Sequence, residues 1–215
     1  LASALADAYA VDDAHDQRRE WAGIALDASR TYEGDEAGPA TLAALERVGQ
    51  AELERGELEA SHSVFLEALD VAERAFGPEA PVLIDLLLCA GAGATPDFAV
   101  DLTTRALDLA EQHEHPLLPV LLEVSSAMLD AERAEDAVPY ATRAVELAAQ
   151  DKDDDGSAHG LLAQALLAID RPGDARQVLA RVSTGDDPWL RELQQRALAS
   201  HEQVTRRLRP MDKAR

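Results

Sequence analysis

Apolar residues recur along this chain at intervals of three and four, with polar residues between them. That spacing draws a stripe down one side of an α-helix and does not give the alternating faces of a strand. It predicts helices over 1–11, 13–32, 38–55, 57–76, 80–92, 95–113, 116–131, 134–150, 156–169 and 171–183. A last helix is predicted in and beyond "DDPWLREL", with Asp187 as its cap, Pro188 in its first turn and an end near Leu208. The stretches between are polar or proline-rich turns, such as "YEGDEAGPA", "FGPEAP" and "HEHP".

The helices repeat. "GELEASHSVFLEALDVAER" (56–74), "ATPDFAVDLTTRALDLAEQ" (94–112) and "ERAEDAVPYATRAVELAAQ" (132–150) each carry two small residues seven positions apart. The pairs are Ser61/Ala68, Ala99/Ala106 and Ala137/Ala144, at a step of 38 residues. One further step reaches Ala175/Val182, and an earlier copy places Ala25 a longer step before Ala68. Small residues two turns apart let a facing helix approach closely. No such pair buries its apolar face alone, so neighbouring units must stack to make a core.

These residues resemble the tetratricopeptide repeat. In the best-matching unit Leu45, Val48 and Gly49 stand at the bulky, apolar and small positions of the first helix. Gly56 stands in the turn, Ser61 and Ala68 at the small sites and Phe65 at the aromatic site. "RAFGPEAP" (74–81) is similar to the longer linker of kinesin-light-chain-type repeats. The step of 38 residues exceeds the usual ~34, Leu87 stands at a small site, and His159 stands at a bulky one. The resemblance covers nearly the whole chain. It implies an all-α fold: a right-handed α-solenoid of about five helix-turn-helix units over 1–185, a capping helix over 186–208 and a basic tail over 209–215. It also implies a concave groove lined by first helices, with Glu46, Gln50, Ile84, Leu88, Leu122, Ser126, Leu129 and Gln164 facing it. That row is apolar in the middle and polar at its edges. It lacks the Lys, Arg and Asn with which some relatives clamp a peptide's terminal carboxylate. A protein or peptide partner, such as an amphipathic helix or a non-acidic peptide, is expected there, or else the chain's own terminal helix. The same apolar surface would serve self-association.

Charge narrows the partner. Lys and Arg total 20 against 41 Asp and Glu, a formal net charge of -21. Such a field repels nucleic acid and anionic membrane and suits a basic or neutral protein. No apolar run reaches the length of a membrane span, and a cytoplasmic setting is expected. The single cysteine, Cys89, excludes a disulfide within the chain and a thiolate zinc site; on an apolar helix it is expected to be a buried structural thiol. The chain begins at Leu1 within an apparent helix, which suggests a piece of a longer or processed protein. A sensor region of a bacterial signalling protein, a kinase or a nucleotide-driven regulator, is the alternative to a free-standing scaffold.

Candidate chemistry is sparse. "DKDDDG" (151–156) begins like a calcium loop, but the ninth and twelfth positions are His159 and Leu162, where an EF-hand's last ligand is a bidentate Glu. A solvated turn at a helix start explains the acidic run without an ion. His113 and His115 in "HEHP" are expected to be exposed, and "GAGA" (91–94) lacks the lysine of a phosphate loop and is expected to end a helix. Paired carboxylates such as Asp12/Asp13 and Asp186/Asp187 fall at helix starts and turns. The tail "RRLRPMDKAR" is expected to be a disordered charged tail, the alternatives being docking on an acidic surface of a neighbouring molecule or folding back on the chain itself. No catalysis, metal or cofactor is expected within this chain.

Overall fold

A computed structural model describes residues 15–33, 38–149, 156–182 and 187–208. Among these there are ten α-helices and no strand: α1 (His15–Glu33), α2 (Pro39–Glu54), α3 (Leu58–Phe76), α4 (Leu83–Gly91), α5 (Pro96–Gln112), α6 (Leu117–Asp130), α7 (Ala134–Ala148), α8 (Ser157–Ala168), α9 (Pro172–Leu179) and α10 (Pro188–Leu208). The all-α class and most boundaries agree with the apolar spacing. The helix expected over 1–11, the turn over 151–155 and the tail over 209–215 lie outside the described residues.

The chain divides into two compact units, Leu1–Pro116 and Leu117–Arg215. In the first, α1 packs on α2, α2 on α3, α3 on α4 and α4 on α5. In the second, α6, α7, α8, α9 and α10 pack in the same successive way, α6 also meets α8, and α10 also meets α8. The repeated small residues lie where close approach needs them: Ser61, Ala68, Ala99, Ala106, Ala137, Ala144 and Ala175 are all buried. In α2 and α3 the match is atomic. The Phe65 ring lies so near Gly49 that a Cβ there would fall 2.7 Å from it. The Ser61 hydroxyl donates to the Gly49 carbonyl at 2.9 Å.

Turn geometry sets the hairpins. Gly56 has φ 77°, and the Glu57 N–H reaches back to the Glu52 carbonyl at 2.9 Å, closing the helix end as a Schellman-type turn. The same back-bond joins Arg133 to Met128 and Arg171 to Leu166, but the left-handed residues there are Glu132 (φ 57°) and Asp170 (φ 58°). The α4–α5 turn differs. It runs so close to the start of α3 that a Cβ on Gly93 would collide with the Leu58 carbonyl. "GAGA" ends α4, as expected. In the second unit α10 closes the stack. The Asp187 carboxylate accepts the Trp189 and Leu190 N–H groups at 2.8 and 3.2 Å, so it caps the helix as expected. Leu190, Leu193 and Ala197 then join Leu162, Leu166, Ala175 and Leu179 in one core.

Ion pairs tie α1 to α2 and to Arg55 just beyond it in the first unit. Arg18 pairs with Glu54, Arg19 with Glu52 at 2.7 Å and Arg55 with Asp16 at 3.1 Å. Glu52 is buried, so the Arg19 bond satisfies a carboxylate that would be costly alone.

Candidate functional site

In the first unit, α2 and α4 are the first helices of consecutive hairpins, and a cleft of about 450 Å³ opens along them. Ala43, Glu46, Arg47 and Gln50 line it from α2; they recur at three- and four-residue intervals and so share one helix face. Asp85, Leu86 and Cys89 line it from α4, and Phe65 of α3 forms part of its floor.

Its electrostatics are uneven. Burial pushes the Glu46 carboxyl above its ordinary value near 4.5, Arg47 draws it back, and the Asp85 charge pushes it further up. One Arg47 amine donates to the Ala43 carbonyl at 2.9 Å, which spends part of that cation on its own helix. Asp85 also lies 3.9 Å from His115.

Of the residues expected to face a groove, Glu46 and Gln50 line this cleft. Ile84 does not: it has 0% exposed surface and belongs to the core with Leu83, Leu86 and Leu87. Asp85, Leu86 and Cys89 are the α4 residues that reach the cleft, and Leu88 is half-buried outside its lining. In the second unit Leu122, Ser126 and Leu129 of α6 and Gln164 of α8 are all half-buried. The α4 helix is apolar around most of its girth, so its apolar spacing marks no outward face. Asp85, the one charge within "PVLIDLLLCAGAGA", was the available signal.

Cys89 corrects another expectation. It is half-buried on the cleft wall rather than enclosed in the core. The calcium-loop comparison is sharpened by Leu162, the twelfth position, which is only 6% exposed within the core. His113 is exposed and donates through Nε2 to the Glu79 carbonyl at 2.7 Å, while His115 is half-buried. Among the described residues no group of three or more His, Cys, Asp or Glu is placed to hold a metal, and no helix is long and apolar enough to cross a membrane. A second cavity of about 670 Å³ is lined by the linker Phe76–Val82 and His113.

No family model matches the chain, and no curated protein does. Solved structures do. Two structures, one of them a point variant, of a Podosopora anserina protein assigned as a kinesin light chain with nearly identical TPR-like repeats align over 95% of both chains. Both are 16% identical to this chain, with TM-scores of 0.72 and 0.68. The apo form of RapI aligns over 95% of this chain and 83% of its own, at 14% identity and a TM-score of 0.63. At these identities the likeness is one of fold. The fold is that of the tetratricopeptide-like helical repeat proteins, the class to which the small-residue pattern pointed.

Proposed function

We propose that this chain is a protein-interaction scaffold that holds a peptide or helix of a partner against its first helices and carries out no catalysis. The observation that carries this is the cleft along α2 and α4. It opens on first helices, where repeat proteins of this kind present a binding face, and it includes Glu46 and Gln50. Its size suits one or two inserted side chains, the way extended peptides and short helices anchor. Its wall mixes apolar floor with a few polar groups, as ligand sites do.

Cys89 makes the test specific. It is the single cysteine of the chain and it lines the cleft, so a bulky maleimide attached there blocks the cleft without any substitution. A partner recovered from native lysate on the unlabelled chain should lose its binding to the labelled one. Helical content and melting must stay unchanged between the two. A labelled, folded chain that still holds the partner would refute the cleft as the binding site.

A further inference from the structure

The cleft's walls also carry information about the partner's chemistry, on the footing that the cleft binds a partner at all. Two carboxylates, Glu46 on α2 and Asp85 on α4, line it against one guanidinium, Arg47. Between them lies an apolar floor of Phe65, Leu86 and Cys89. Phe65 and Leu86 are each 2% exposed and belong to the core at the base of the cleft, while Cys89 is half-buried. Arg47 is held partly by the Ala43 carbonyl, and His115 lies 3.9 Å from Asp85. The walls therefore keep an excess of negative charge above an apolar base, within a chain whose net charge is already -21. Lysine and arginine have this shape in reverse. Their methylene stems lie on apolar surface while the charged head reaches out to carboxylates. An acidic peptide would meet like charge twice, and a purely apolar one would leave both carboxylates partly desolvated without a partner.

We propose that the α2–α4 cleft takes a lysine or arginine side chain of a partner peptide, its stem on Phe65, Leu86 and Cys89 and its head between Glu46 and Asp85. The raised Glu46 carboxyl agrees with a site that a cation would relieve.

The probe is a randomised displayed-peptide library selected on the intact chain. Enriched peptides are then synthesised with each arginine replaced by citrulline, or each lysine by norleucine, which keeps the stem and removes the charge. Binding is measured to the chain and to Glu46→Gln/Asp85→Asn, a nearly isosteric pair that removes like charge and leaves the fold intact by circular dichroism. Protection of Cys89 from a small alkylating reagent reports whether a peptide occupies the cleft. The expected result is enrichment of a basic position, slowed Cys89 alkylation, and a loss of affinity of about fivefold or more for the neutralised peptide and for the double variant alike. Peptides that protect Cys89 with no basic preference and equal affinity for both chains would overturn the cation proposal while leaving the scaffold function standing. Cys89 protection that rises with the chain's own concentration would assign the cleft to a second copy and overturn it too. A selection that yields no Cys89-protecting peptide would overturn both.

Discussion

Glu132 and Asp170 stand two and three repeat steps beyond Gly56, and both hold the left-handed backbone that Gly56 adopts without strain. A side chain with a Cβ pays about 1–2 kcal/mol for that conformation. Glu132→Gly and Asp170→Gly should each raise the unfolding free energy by roughly 0.5–1 kcal/mol in urea titrations, less than the full strain because glycine loses more entropy on folding. Gly93 is constrained in the other direction. Its missing side chain makes room for the Leu58 carbonyl, which is backbone and has little freedom to yield. Gly93→Ala should destabilise the first unit by about 1–3 kcal/mol in the same titration. The sequence marked Gly56 as a turn and "GAGA" as a helix end, because glycine signals both. It gave no sign that Glu132 and Asp170 would occupy the same backbone, since the tertiary stack imposes that conformation on residues that do not favour it.

At the scale of helices, periodicity was informative wherever a helix had one wet side. The small pairs on α3, α5 and α7 are all buried, as their spacing required. The phase failed on α4, where Leu83, Ile84, Leu86 and Leu87 are all buried and no polar stripe marks the outward direction. Ile84, expected in the groove, is core, and Asp85, Leu86 and Cys89 line the cleft instead. The ninth helix is shorter than the expected 171–183. The last residues tighten into short-range turns, with Arg181 bonded to Val178 and Val182 to Leu179, so the helix stops at Leu179. The α2 and α4 walls carry a pH signature. Because the folded-state Glu46 value lies above its ordinary one, its contribution to stability is complete below about 4.5 and is lost as pH rises through the folded value. Glu46→Gln should therefore melt with the parent chain at acid pH and above it at neutral pH. Melting curves across that range check this, and a variant that melts lower at neutral pH would contradict the direction of the shift.

Across the whole molecule, charge is the dominant compositional fact. Forty-one acidic side chains against twenty basic ones repel one another in the folded state, and salt screens that repulsion. The Arg18–Glu54 and Arg19–Glu52 pairs are partly buried, so salt screens them less than it screens the exposed like charges. Melting temperature should rise as sodium chloride is added from low ionic strength; a fall would mean that the ion pairs outweigh the net charge. The fold class was legible from the sequence because the 38-residue step survives in small residues that packing demands. The lining of the candidate cleft was legible only in part. Glu46 and Gln50 follow from the register, whereas Arg47, Leu86, Cys89 and Phe65 reach the cleft through the way α2, α3 and α4 meet, which no local pattern encodes.

The most direct measurement is photo-crosslinking from Gln50, an exposed residue of the cleft, compared with crosslinking from Asp101, an exposed residue of α5 outside that lining. The account predicts that a partner peptide or protein in native lysate joins the chain from Gln50 and not from Asp101, and that blocking Cys89 abolishes the product. Equal products from both positions, or a Gln50 product that survives the block, would contradict a binding site in the α2–α4 cleft.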